Sequence, residues 1–303
     1  MLRKSGRVAA SGAAAAGILL AVAIPIGHRM INRSGVSPVA AVRLPSATPS
    51  APGPASPRPS VDPAVYVRAR IAAYLAQYGS HASFALLDKV TGEEVLYQEG
   101  TEFETGSIVK VDILATLLWQ GQQSGTSLSQ SQRQLATQMI TESDNDAATA
   151  LWDQIGGASA LAEANAVFGL TETTPGQDGY WGLTTTTAAD QLRLLQLIAN
   201  SSGPLNSSSR AYLLGLMSRV DGDQRWGVPV AADAQATGVY VKNGWLSRST
   251  EDDKWIINSI GRIVEPAHDW LIVVLSNYNA TQNSGITLVQ HAADLAVQDR
   301  PVT

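Results

Sequence analysis

Thr105-Gly106-Ser107-Ile108-Val109-Lys110 puts a serine at the mouth of a helical run and a lysine three residues later. Residues 111–119 follow as V-D-I-L-A-T-L-L-W, apolar nearly all round, as in a helix buried at the centre of a domain. Ser107 then stands at a helix N-terminus, where free backbone N–H groups and the macrodipole favour negative charge. Lys110 lies on the same face one turn on. That arrangement suits a nucleophile with a built-in base. A lone S-x-x-K is more often an N-cap followed by a solvated lysine, so the surrounding sequence has to decide.

Upstream of the serine, Asp62-Pro63 opens a helix whose apolar residues Val65, Ile71 and Leu75 recur at helical spacing. Residues 82–89 and 93–98, separated by Thr91-Gly92, read as a hairpin. Downstream the pattern is helical over 129–140, 145–155, 159–168, 187–200 and 207–220. Strand character returns over 238–245, 255–264 and 270–277, rich in β-branched and aromatic residues, and a last helix spans 284–297. The order predicts an α+β fold: an antiparallel sheet built from both chain ends, flanked by N- and C-terminal helices, with an all-α lobe inserted.

The 303-residue chain is 45% hydrophobic, ample for a packed core. Residues 1–61 hold seven of the 21 Lys and Arg and no acid, leaving 14 basic against 26 acidic residues in 62–303, a net charge of −12. A folded part that acidic disfavours nucleic acid as a partner. There is no cysteine, hence no disulfide, thiolate metal site or cysteine-linked lipid. Arg3, Lys4 and Arg7 precede an apolar stretch at 8–27, a pattern that directs export. No small-x-small site closes that stretch, which favours an uncleaved membrane anchor over a cleaved signal, with Val39-Ala40-Ala41 as a more distant cleavage site. The expected organisation is an export signal or anchor over 1–33, a Pro/Ser/Ala-rich linker over 34–62, and an extracytoplasmic folded domain over 63–303. A monomer is expected.

Two further short motifs fall where this layout brings them towards Ser107. Ser143-Asp144-Asn145 lies in a break between two helices, and Lys242-Asn243-Gly244 lies on the first late strand. Each alone is commonplace, one as a helix cap and the other as a turn. S-x-x-K, then S-D-N some 35 residues on, then K-[TS]-G some 100 further, is the signature of class A β-lactamases and penicillin-binding proteins. Throughout 63–303 the chain resembles that serine hydrolase superfamily, and the flanks agree: I-T-E-S-D-N-D-A-A at 140–148 and W-G-V-P at 226–229. The resemblance implies Ser107 as nucleophile, Lys110 as its base, Ser143 as proton relay and Lys242 as the group that holds Ser143. It also implies substrate contacts from Asn145, Asn243, Gly244, Trp245 and Lys254, with an oxyanion hole from the backbone N–H groups of Ser107 and Trp245. No cofactor and no metal enters this chemistry; His28, His81, His268 and His291 are scattered, without ligand spacing.

Three departures stand out. Asn243 replaces the hydroxyl residue of the third motif. Residues 170–183, L-T-E-T-T-P-G-Q-D-G-Y-W-G-L, lack the W-E-P-E-L-N pattern that carries the lactamases' deacylating glutamate, and the asparagine that braces it is Thr149. Glu172 and Asp178 are the candidate replacement bases, and Trp181 and Trp245 the aromatic residues expected in the cleft. The expected activity is acyl-enzyme formation with β-lactams or related amides, with slow deacylation. The alternatives are a D-alanyl-D-alanine peptidase acting on peptidoglycan peptides and a non-catalytic wall-peptide binding module.

Overall fold

The structure is a computed structural model that describes residues 62–298. The expected export segment at 1–33 and nearly all of the linker at 34–62 lie outside the described residues. Among the described residues no helix is long and apolar enough to cross a membrane.

Helix α1 (Pro63–Leu75) starts with the Asp62 side chain accepting from the Ala64 N–H and leads into strands β1 (Ala82–Asp88) and β2 (Glu94–Tyr97). After a short strand β3 (Phe103–Glu104), a tight turn at Gly106–Ile108 carries Ser107 into α2 (Val109–Gln123). The helical lobe continues with α3 (Gln130–Thr137), α4 (Asn145–Ile155) and α5 (Gly157–Phe168). Strand β4 (Thr185–Thr186) pairs with β3 and precedes α6 (Ala188–Ala199) and α7 (Ser207–Met217). Strands β5 (Gly238–Arg248), β6 (Lys254–Val264) and β7 (Asp269–Asn279) return to the sheet, and α8 (Gln282–Val297) closes the domain.

The sheet runs β2-β1-β7-β6-β5, antiparallel throughout, with β5 at one edge. Its central strand shows why the run W-L-I-V-V-L at 270–275 has no polar alternation. Trp270, Ile272 and Val274 pack with α1 and α8, while Leu271, Val273 and Leu275 pack with the helical lobe. Successive side chains point to opposite faces, and both faces are covered. Residues 109–118 of α2 are buried without a break, the expected central helix. Truncating one of them, Leu114 for example, removes roughly 2–5 kcal/mol of stability.

The expected α+β architecture is present, and the differences in detail are local. The predicted helix at 129–140 is α-helical to Thr137 and then widens into a π-turn over Gln138–Glu142. The strand expected at 238–245 continues to Arg248, so the β5–β6 hairpin is longer than the sequence suggests. The β3–β4 pair, two residues a side, is too short to leave an alternation signal.

Candidate active site

Three segments converge on one point. The π-turn ends at Ser143, whose φ of 57° and ψ of 33° lie in the left-handed region, uncommon for a residue with a side chain. That bend aims both the carbonyl oxygen and the hydroxyl of Ser143 at the lysine of α2. Lys110 Nζ donates to Ser143 O at 2.6 Å, to Ser143 Oγ at 3.2 Å and to Asn145 Oδ1 at 2.8 Å. From β5, Lys242 Nζ donates to the same Ser143 Oγ at 3.0 Å and to Asn243 O at 3.0 Å. Asp144 between them caps α4, its carboxylate accepting from the Ala147 N–H at 2.7 Å.

Both lysines are fully buried. Burial pushes Lys110 down to about 7, against the opposing pull of the Asp144 charge. Lys242 is also held well below the ordinary lysine range, by burial and then by the neighbouring Lys110. Two ammonium groups sharing one hydroxyl disfavour double protonation, so burial and this pairing both favour a neutral amine in the cluster.

Ser107 is partly exposed, in the turn that leads into α2. Gly244 lies against that turn. A Cβ there would stand 2.4 Å from Thr105 O, 2.8 Å from Ser107 N and 2.9 Å from Ile108 N, all backbone atoms. On the facing side, Gly106 has a φ of 53°, and a Cβ on it would meet Trp245 N at 3.1 Å. The two glycines thus let the Ser107 and Trp245 amides approach the same seam, as an oxyanion hole requires.

The alternation of β5 corrects two expected substrate contacts. Lys242 and Gly244 face the helical lobe, so Asn243 and Trp245 point the other way. Asn243 is fully buried, its amide donating to Gln224 O and Trp226 O, each at 2.8 Å; it braces the segment before the strand and is not placed to meet a substrate carboxylate. The Trp245 ring packs edge-on against Trp226 at 5.9 Å, and it is the Trp245 backbone amide that lies against the Ser107 turn. Lys254 is also displaced. It pairs with Arg248, four residue pairs beyond Gly244–Asn258, or about 13 Å along the strands. The lengthened hairpin carries it away.

Neither loop carboxylate is brought to Lys110. Glu172 is exposed at the start of α6, accepting from Thr187 Oγ1 at 3.3 Å. Asp178 sits on an exposed turn with a φ of 54°. The side chain this loop does bring there is Trp181, whose ring centroid is 4.9 Å from Lys110 Nζ. Its indole N–H donates to Thr149 Oγ1 at 3.1 Å. Trp181 also lines an open cleft of about 670 Å³ between residues 179–183 and 246–250.

One positioning residue lies outside the sequence motifs. Buried Asn258 on β6 donates to Glu104 O at 2.8 Å and Thr105 O at 3.0 Å and accepts from Ser276 N at 3.1 Å, fastening the Ser107 turn to the sheet. Its one signal in the sequence is the polar pair Asn258-Ser259 interrupting an apolar strand.

A serine at the mouth of a buried helix, with two buried lysines meeting on a second serine beside an antiparallel sheet, defines the β-lactamase/transpeptidase-like class of serine hydrolases. Residues 66–133 and 124–299 match the model of the β-lactamase enzyme family, and the chain belongs to that family. The "Putative lipoprotein LppW" of Mycobacterium tuberculosis (strain ATCC 25618 / H37Rv) is 28% identical over 207 residues, 66% of this chain. The match spans 64% of that relative's length. The fold is similar to that of PBP-A, solved as a point mutant in an acyl-enzyme complex with penicillin G. The TM-score is 0.67 at 18% identity, covering 77% of this chain and 96% of that one. It is also similar to the class A β-lactamase from Mycobacterium abscessus, with a TM-score of 0.65 at 19% identity over 77% and 98% of the two chains.

Proposed function

We propose that the protein is an extracytoplasmic serine acyltransferase-hydrolase that opens β-lactams or D-alanyl peptide amides through an ester on Ser107. The observation that carries this reading is the convergence of Lys110 and Lys242 on Ser143 Oγ, at 3.2 and 3.0 Å, with Lys110 one turn along the chain from Ser107. Buried polar groups in such number are expensive to keep if idle.

In this reading neutral Lys110 takes the Ser107 hydroxyl proton, and Oγ attacks the amide carbonyl. The Ser107 and Trp245 amides receive the developing oxyanion, each such donor lowering the barrier by roughly 3–4 kcal/mol. Ser143 passes a proton to the leaving nitrogen and regains one from the Lys110 ammonium, which carries the proton taken from Ser107, while Lys242 holds Ser143 in place and attracts a substrate carboxylate. Because Asn145 Oδ1 accepts from Lys110, its Nδ2 is turned outward to donate to the substrate's amide carbonyl.

Slow deacylation is favoured by the aromatic side chain, in place of a carboxylate, beside Lys110. That supports the penicillin-binding or D-alanyl-peptidase reading over rapid β-lactam hydrolysis. Export is supported by the basic residues Arg3, Lys4 and Arg7 before the apolar stretch at 8–27, and by the lipoprotein name of the curated relatives. This chain has no cysteine to carry a lipid thioether, so its tether would be the apolar segment itself.

The test is labelling with a fluorescent penicillin followed by denaturing electrophoresis. The wild type should label covalently, and Ser107→Ala, Lys110→Ala and Lys242→Ala should lose more than 90% of the signal. Equal labelling of Ser107→Ala would refute the assignment, and no labelling of folded wild type by penicillins, with no release of D-alanine from D-alanyl peptides, would favour the binding module.

A further inference from the structure

Trp181 lies beside Lys110, and its contacts form a closed circuit. The indole N–H donates to Thr149 Oγ1 at 3.1 Å, and the Thr149 hydroxyl in turn donates to Asn145 O at 3.0 Å. Asn145 Oδ1 accepts from Lys110 Nζ at 2.8 Å, and Lys110 Nζ lies 4.9 Å from the centroid of the same indole. The loop that presents the ring is closed on itself. Gly176 N donates to Thr184 Oγ1 at 3.0 Å, Thr174 bridges to Thr185, and no Cβ fits on Gly176, where it would stand 2.1 Å from Tyr180 O. Trp181 is therefore held by its own loop, by Thr149 and by the lysine.

We propose that Trp181 is a positioning residue that controls the fate of the acyl-enzyme: its indole fixes Lys110 and denies water the approach beside it. The inference rests on the acyl-enzyme reading above. Hydrolysis of the Ser107 ester requires a water oxygen to bond to the carbonyl carbon while the bond to Ser107 Oγ breaks, with one water proton ending on Ser107. That water needs both room and a proton acceptor. The ring takes up the room on this side of Lys110, and its face stabilises the ammonium over the neutral amine. The charged groups acting on Lys110 are Lys242 from β5 and Asp144 at the start of α4. Trp181 adds a contact to the ammonium without adding charge. The ester thereby outlives its formation, long enough for a primary amine, a stronger nucleophile than water, to take the acyl group. In that step the carbon–nitrogen bond forms as the Ser107 ester bond breaks, and the amine's proton returns to Ser107.

The experiment compares wild type with Trp181→Ala, Trp181→Phe and Thr149→Val, each treated with penicillin G and followed by intact-mass spectrometry. Three readouts are taken: acylation rate against pH, adduct half-life, and product partition with an added D-amino acid as amine. Trp181→Ala should shorten the half-life at least tenfold, divert product from amide to acid, and move the acid limb of the acylation profile down by about 0.5–1 pH unit. That displacement is the size an ordinary cation–π contact gives. Trp181→Phe, which keeps a ring face, should restore the pH profile, and Thr149→Val, which frees the indole N–H, should fall between. An unchanged half-life and pH limb in Trp181→Ala, or in Thr149→Val should the alanine variant not fold, would overturn the inference while leaving the acyl-enzyme intact. Absence of any adduct in wild type would instead overturn the underlying reading.

Discussion

Replacing Gly244 with alanine is the most sharply defined perturbation of the site. The added Cβ would meet Thr105 O at 2.4 Å, Ser107 N at 2.8 Å and Ile108 N at 2.9 Å. Ordinary contacts of a methyl with backbone atoms begin near 3.4 Å, so strand and turn must separate by roughly 0.5–1 Å. The turn cannot move freely, because Asn258 holds Glu104 O and Thr105 O against β6. The strain should lower stability by about 1–3 kcal/mol, the usual range for overpacking a filled site. Its larger effect is on geometry: the Ser107 amide and hydroxyl shift relative to the Trp245 amide, and a displacement near 1 Å costs on the order of 100-fold in rate. Stopped-flow acylation by a chromogenic cephalosporin, alongside thermal melting, separates the two effects. A Gly244→Ala protein that acylates within threefold of wild type would show that the seam between β5 and the Ser107 turn is not where the carbonyl is held.

Other substitutions probe separate links. Asp112 on α2 is buried, and burial, with Asp190 adding to it against the pull of Asn165, pushes its carboxyl up to about 7. The folded pKa lies above the unfolded one, so wild type should lose stability as pH rises from about 4 to about 7, by up to ~4 kcal/mol, whereas Asp112→Asn should show no such loss and melt higher at pH 8. Asn258→Ala removes a donor from the Glu104 and Thr105 carbonyls and the acceptor of the Ser276 amide; calorimetry should register a loss of roughly 2–4 kcal/mol, with slower acylation. Asn243→Ala should lower stability by about 1–3 kcal/mol through the freed Gln224 and Trp226 carbonyls, while the affinity for penicillin in titration stays within twofold.

Much of the fold is legible in the sequence because its signals are local. The doubly buried β7 announces itself as an unbroken apolar run, α2 as helical and apolar on every side, and Asp144 as a cap that starts α4 at Asn145. Lys110, Ser143 and Lys242 are legible as a set because each lies in a short motif whose order is fixed by the topology. What is not legible depends on register and on side-chain direction. Whether β5 ends at Trp245 or at Arg248 is invisible in its composition, yet it decides where Lys254 goes. Asn243 belongs to a motif, while the loop carbonyls that bury it come from Gln224 and Trp226, nearly 20 residues earlier. In the 170–183 segment the carboxylates Glu172 and Asp178 are the residues whose type suits a base, yet both lie on exposed turns away from Lys110. Trp181 is legible as a cleft residue, but its stacking on Lys110 and its bond to Thr149 depend on how the loop folds back.

Everything proposed for this site turns on an ester formed at Ser107, activated by Lys110 within the Ser143–Lys242 cluster. Intact-mass spectrometry of the protein after incubation with penicillin G, followed over hours and mapped by proteolysis, would reveal that ester. The expected result is a mass gain equal to one whole penicillin, carried on the peptide containing Ser107, absent in Ser107→Ala, and persisting well after free antibiotic is removed. An adduct on another residue, or a folded protein that gains no mass with penicillins and releases no D-alanine from D-alanyl peptides, would contradict it.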